Sequence, residues 1–535
     1  MRTKNMKKTI LDSRTLLAAL VVLATLFTGS AYAAAPGITG TGTPGTFNLT
    51  AQASSITQPD GQSIYSWGYG CTSAVATSAT FVPSAIAAPS GGCPTMQIPG
   101  PTLVVTEGTP VTVTLTNNLP ANAGNTSILF PGFNVTTSGG VAGLLTQEAA
   151  PGGTVTYTFT PQSPGTRAYY SGTQSDLQVE MGLYGAVIVL PSAAPSTCDS
   201  TNTNLYSAAS TWASMNLGVK EKDFRLAHAA YDHARTCYDR EYLFQFSEID
   251  PVIHAQAQKQ VQAGVTNLVV PTEPYHPAYF MINGRSMPDD MDPNYAPQYP
   301  HQPYNGNPHM HPGEQVLLRI IGQGRWQHPF HEHGNHVRIL GRDGNLILAS
   351  TNSGELNLAG PLLFTTTTTP GVAMDGIFYW TARGLNWDAY AHTTSKADAT
   401  YACTPDANGY YTSDPTALNY YEWCQDHNKP LQVAPFGDVG AGGPATLPDP
   451  NLFTNGPWYS GSPYLGPDAT QRAVGPTATT PPSGTIANPP SSEAGFAFMW
   501  HSHNEREITT NNIFPGGMLM MMLVDSREFI IDESN

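Results

Sequence analysis

The sequence predicts an all-β protein made of two copies of one Greek-key β-sandwich. Three observations carry this. The chain of 535 residues is rich in Gly (51) and Pro (46) and only 12% charged, which suits short strands between turns. Short β-branched runs recur at 102–105, 111–116, 154–160 and 185–190. The order of elements in residues 96–191 also recurs in residues 309–525.

Five matches in the same order make the repeat. E-G-T-P-V-T-V-T-L-T-N at 107–117 answers to P-G-E-Q-V-L-L-R-I-I-G at 312–322, and S-I-L-F-P-G at 127–132 to P-F-H-E-H-G at 329–334. P-G-G-T-V-T-Y-T-F at 151–159 answers to P-G-V-A-M-D-G-I-F-Y at 370–379. Y-Y-S-G at 169–172 answers to W-H-S-H at 500–503, and G-L-Y-G-A-V-I-V at 182–189 to G-M-L-M-M-M-L-V at 517–524. Copy one then spans about 40–195 and copy two about 238–531. Between them lies a connector, 196–237, whose Ala-rich part (207–234) predicts partial helix. His228, Tyr231, Asp232 and His233 fall there and read as surface and packing residues. Copy two carries a loop insertion at about 385–492, rich in Gly, Pro, Asn and Tyr, and a further loop at 300–311.

Residues 1–33 read as a secretory signal peptide rather than part of the fold. Arg2, Lys4, Lys7, Lys8 and Arg14 precede a short apolar core at 16–27, and Ala31-Tyr32-Ala33 fits the cleavage site. The expectation is an exported protein, periplasmic, cell-surface or extracellular, with no membrane span. Removing that segment's net charge of +4 takes the chain from −16 to −20. Such acidity argues against nucleic acid and anionic membrane surfaces, and mildly favours cations. Six cysteines in an exported chain predict three disulfides, and sequential pairing gives 71–93, 198–237 and 403–424.

The chemistry lies in two histidine-rich stretches. His328, His331, His333 and His336 fall within nine residues, and His501 and His503 flank Ser502. Strand side chains alternate, so His331 and His333 share one face, as do His501 and His503. Two such pairs on neighbouring strands put four imidazoles on one surface, a geometry suited to metal. Without sulfur, that donor set prefers copper, with zinc second, as one or two ions. His328, His336 and Met518 are further metal candidates. Glu332, Glu505 and Glu507 could join as ligands, or Glu505 and Glu507 could orient the histidines, and Glu505, Glu507 and Tyr170 are candidate catalytic groups. His309-Met310-His311 reads as a polar loop, and Met520, Met521 and Met522 as core filling.

The run H-P-F-H-E-H-G at 328–334 resembles the H-P-x-H-x-H-G motif of multicopper oxidases. W-H-S-H at 500–503, followed by G-G-M at 516–518, resembles their H-C-H…G-M motif. P-G-P-T-L-V-V-T-E-G at 99–108, G-L-Y-G at 182–185 and Y-F-M-I-N-G-R at 279–285 resemble the family too. The resemblance implies cupredoxin domains, copper and, for a two-domain member, often a homo-trimer with copper between subunits.

The departures from that pattern narrow the function. A blue copper site takes two His, a Cys and a weak axial Met. His328 and Met518 match, but Ser502 stands at the cysteine position and Glu507 at that of the second histidine. The family's trinuclear cluster takes four histidines from each of two domains. Copy two keeps His331, His333, His501 and His503, whereas copy one has Leu129, Pro131, Tyr170 and Gly172. The expectation is therefore an exported copper-binding protein, an atypical copper oxidoreductase with a His-only site and not a laccase-type four-copper enzyme. The competing expectation is a non-catalytic copper-binding or cell-surface scaffold protein.

Overall fold

The computed structural model describes residues 34–195, 198, 222–350, 356–383, 404–413 and 494–525, with short pieces at 421, 423, 425, 461–465, 486–487 and 531–532. The leader at 1–33, residues 199–221 of the connector, most of the insertion and the 403–424 cysteine pair lie outside the described residues.

Alternation builds the first sandwich. In Val111–Asn118 the apolar Val111, Val113 and Leu115 are buried while the threonines between them are half-buried. Thr154–Phe159 pairs antiparallel with it and turns Val155, Tyr157 and Phe159 into the same core, beside Trp67 and Phe130. The sheet runs Ser63–Cys71, Thr46–Thr57, Val111–Asn118, Thr154–Phe159, Thr136–Gly139. Its counterpart in the second sandwich runs Tyr279–Ile282, Arg240–Ile249, Gln315–Gly322, Ala373–Tyr379, Val337–Arg342, Asn345–Leu346. In both, the second and third strands are parallel and the third and fourth antiparallel.

The facing sheets repeat likewise. Gly165–Tyr170, Tyr184–Leu190 and Leu103–Thr106 are adjacent in the first, and Ala494–Ser502, Leu519–Asp525 and His309–Met310 in the second. Each trio joins an antiparallel pair to a parallel one. The register agrees to the residue: the bridge Leu129↔Tyr170 answers to His331↔His501. The fold is all-β and the repeat is structural.

Gln315–Gly322 is buried on both faces, unlike its counterpart in copy one. Val316, Leu318 and Ile320 enter the second core. On the other face Ile321 meets Ala168, Ala186 and Ile188 of the first sandwich, and Leu317 meets Tyr231 and Tyr238 of the connector. Arg319 lies on that covered face, held by Glu241 at 2.8 Å and Asp375 at 3.5 Å. Asp375 also accepts from Thr166 Oγ1 (2.6 Å) and Tyr231 Oη (2.6 Å), so one carboxylate ties both sandwiches and the connector together.

Disulfides 71–93 and 198–237 are formed, with Cα–Cα separations of 5.7 and 5.5 Å. In the connector Cys198 is helical and residues 222–237 form no helix, while 199–221, which hold most of the predicted helical stretch, lie outside the described residues. Tyr231 and Tyr238 pack into the interface and Ala229 bridges Cys237. One local expectation fails. His309-Met310 is buried strand rather than polar loop; Asp525 accepts from His309 Nδ1 at 2.7 Å, and its carbonyl from His311 Nδ1 at 2.8 Å. The helices Ser175–Gln178 and Pro251–Gln262 were not predicted from the sequence, and the second is the longer. Asp250 caps it by accepting from Val252 N, with Pro251 in its first turn, and Ile253 and Ala257 join the first core. Among the described residues no helix is long and apolar enough to cross a membrane.

Candidate metal centre

His328–Glu332 and Ala494–Ser502 lie side by side, with Phe330 opposite Ser502, His331 opposite His501 and Glu332 opposite Trp500. Phe330 and Trp500 point into the core, their rings 6.1 Å apart. Period-two alternation therefore sends His331 and His501 to the other face as a directly opposed pair. His503 is held by its backbone N–H on Pro329 O (2.8 Å), and the His333 carbonyl accepts from Trp500 Nε1 (2.9 Å).

The four histidines predicted from the sequence come together. Ring centroids are 4.9 Å apart for His331–His333, 5.5 Å for His331–His501, 4.7 Å for His331–His503, 5.1 Å for His333–His501 and 5.6 Å for His501–His503. Two imidazoles on one ion at ~2.0–2.1 Å per bond place their centroids roughly 4.5–5.5 Å apart. His333 Nε2 and His501 Nε2 are 3.2 Å apart, which at such bond lengths subtends about 100° at an ion. Among the described residues no three His, Cys, Asp or Glu side chains already close on a common point. The His333–His501 pair is at ligating separation, and His331 and His503 stand beside it.

Partners outside the cluster orient the rings. His501 Nδ1–H donates to the Ser502 carbonyl (2.7 Å), leaving its Nε2 lone pair facing His333. His331 Nδ1 shares a hydrogen bond with Thr365 Oγ1 (2.8 Å). Burial, then repulsion from His503 and His501, pushes His331 down to about 4. Burial also lowers His501. Both are neutral at pH 7, the form that ligates. The donor set, all imidazole and without sulfur, fits copper.

His328 is not part of this cluster. Its ring is fully buried between two carboxylates, with Nε2–H donating to Glu248 Oε2 and Nδ1–H to Glu507 Oε2, each at 2.9 Å. Ser502 Oγ donates to the same Glu507 oxygen. Burial alone would lower this imidazole, but hydrogen bonds and charge from Glu248 and Glu507 outweigh it and hold its pKa up at about 9. With both nitrogens protonated, His328 has no lone pair for a metal.

The remaining predicted residues scatter. His336 packs edge-on against Phe364, which also meets the His331 ring. Met518 is buried in the second core. Glu505 is exposed, 3.8 Å from His503 Nδ1. Glu332 faces inward, accepting from Thr366 Oγ1, and burial drives it up to about 8. Tyr170 lies against the Gly371 turn. A Cβ on Gly172 would fall 2.7 Å from Leu129 Cγ, so two of the positions of copy one that lack histidine are packed on each other. Sequence reasoning missed Glu248, Tyr275 and Glu180, because nothing local marks a carboxylate that will be buried. The one local sign is Gly324 (φ +68°), where a Cβ would stand 2.4 Å from Glu248 Oε2.

Two Greek-key sandwiches, with a cluster of four histidines on the second, define a cupredoxin-type protein. Residues 94–194 and 246–378 each match a family model described as multicopper oxidase. Both sandwiches thus carry a stretch that matches the multicopper oxidase family. The second matched stretch contains His328, His331 and His333; His501 and His503 lie beyond it. A laccase of Aspergillus fumigatus, abr2, is 35% identical over 98 residues, 18% of this chain and 16% of its own length. Among solved structures, the multicopper oxidase mgLAC aligns at 14% identity and TM-score 0.43, covering 91% of this chain and 87% of that one. The blue copper oxidase of Nitrosomonas europaea aligns at 14% and 0.41, covering 89% and 84%.

Proposed function

We propose that this chain is an exported copper-binding member of its family, an atypical copper oxidoreductase with one centre held by His331, His333, His501 and His503. The observation that carries this is the His333–His501 Nε2 pair at 3.2 Å, with His331 and His503 grouped around it. Copper bound there would supply one-electron redox chemistry, with positions left open for oxygen or a small substrate. The protein's part is to keep His331 and His501 neutral, to fix the His501 tautomer through the Ser502 carbonyl, to hold the His331 ring on Thr365, and to leave His503 half exposed at the surface. A laccase-type cycle does not fit, since Ser502 and Glu507 replace the electron-entry ligands and Leu129, Pro131, Tyr170 and Gly172 replace the other half of the cluster. The homo-trimer implied by the family resemblance belongs to the same reading.

The test is metal content and oxygen uptake after copper loading, with light scattering for the oligomer. One or two coppers per chain, lost in His501→Ala/His503→Ala, with oxygen consumed on a phenol or a reduced metal ion, is the expected result. Copper without turnover would leave a non-catalytic copper-binding protein. A wild type that takes up no copper would refute both.

A further inference from the structure

We propose that Glu248, His328 and Glu507 form a metal-free charge clamp that stands where the family's second metal would stand and positions the four-histidine centre. This rests on the reading of that centre as a copper site.

Glu507 Oε2 is the shared acceptor of His328 Nδ1 and Ser502 Oγ, the two groups that in a His–Cys site would converge on one ion. The carboxylate therefore takes the metal's place between them. All three clamp residues are buried: His328 and Glu507 are inaccessible and Glu248 is 2% exposed. A buried cation between two buried anions persists only when every remaining oxygen is satisfied, and here each is. Glu248 Oε1 accepts from Arg325 N (2.7 Å) and Trp326 N (2.8 Å), and Glu507 Oε1 accepts from Asn504 Nδ2 (2.8 Å). Other charged or titratable groups around it are Tyr275, Arg325 (its guanidinium stacked on Tyr275), Tyr184 and Glu180, the last with His254 3.6 Å away.

The clamp reaches the centre through Glu507, which holds Ser502 and Asn504 by their side chains, on either side of His503. Met518 N donates to the Glu507 carbonyl (2.8 Å) and Ser502 N to the Met518 carbonyl (3.0 Å), closing a ring around the end of the strand that carries His501. At the far end Tyr275 Oη donates its proton to Glu180 Oε2 of the first sandwich (2.6 Å) and lies 3.2 Å from Glu248 Oε1. The clamp is thus hydrogen-bonded to the strand end bearing His501 and His503 and packed through Tyr275 against the first sandwich. Side chains that orient ligands from behind are worth roughly 10- to 100-fold in metal affinity.

Two measurements on the full-length protein test this. In the metal-free wild type, with histidine labelled with nitrogen-15, both His328 N–H protons should resonate far downfield and vanish in His328→Gln. Their absence from the wild type overturns the clamp whether or not the protein takes copper. Copper titration with electron paramagnetic resonance is the second. Glu507→Gln should weaken copper binding roughly 10- to 100-fold and change the hyperfine pattern, leaving the metal count per chain and the circular dichroism unchanged. Gly324→Ala, which keeps every donor but displaces Glu248, should move affinity the same way. Wild-type affinity and spectrum in a folded Glu507→Gln protein would overturn the positioning role. Loss of the His328 resonances on adding one equivalent of diamagnetic Cu(I) would show that metal enters the clamp, and would overturn it too. No copper uptake by the wild type would sink the copper reading and with it the positioning role, and the resonances alone would then decide the clamp.

Discussion

Raising the pH through the alkaline range strips the proton from His328 and should cost the protein stability that a His328→Gln variant does not lose. The folded imidazole sits at about 9 because Glu248 and Glu507 outweigh the burial that would lower it. The unfolded value is about 6.5. A base whose pKa is raised by folding contributes its stabilisation in full below the unfolded pKa and loses it as pH climbs to the folded one. The window is therefore pH 6.5 to 9. At about 1.4 kcal/mol per unit the loss across it is about 3 kcal/mol. The assay is urea unfolding of metal-free wild type and His328→Gln at half-unit steps from pH 6 to 10, comparing free energies at matched slope. The wild type should fall relative to the variant through the window and run parallel to it outside. Parallel curves from pH 6.5 to 9 would mean that His328 is not charged in the fold, and the account of the filled site would be wrong.

Three further outcomes follow from the same contacts. Arg319→Met should destabilise by about 3–5 kcal/mol in denaturant unfolding, since Glu241 and Asp375 would keep buried charges with no cation between them. Glu332→Gln should stabilise the metal-free protein at pH 7 by on the order of 1–3 kcal/mol and flatten its stability between pH 5 and 8. An acid raised to about 8 costs the fold more at each step above its unfolded pKa, and a gain confined to pH below 4.5 would contradict this. Ser502→Cys alone, loaded with copper, should show no intense blue thiolate band, because His328 Nδ1–H still donates to Glu507 and offers no lone pair. Ser502→Cys with Glu507→His should show one, and visible absorbance separates the two.

The sequence by itself determined the strands, the repeat and the chemistry that is missing. Alternation in V-T-V-T-L-T and T-V-T-Y-T-F dictates one buried face, and two H-x-H pairs at matching places in one repeat have to meet if the repeat folds. Ser502 and Glu507 announce the loss of a thiolate site without any coordinates. Only the tertiary structure decided what fills that site. Glu248 reaches His328 across 80 residues and Glu507 across 179, and Glu180 joins through Tyr275 from the other sandwich. His309 went the same way: a segment that looks polar locally was recruited to pair with Asp525. The physical reason is shared. Side-chain alternation is a local property of a strand, whereas the protonation and partners of a buried charge depend on which distant chains exclude water around it.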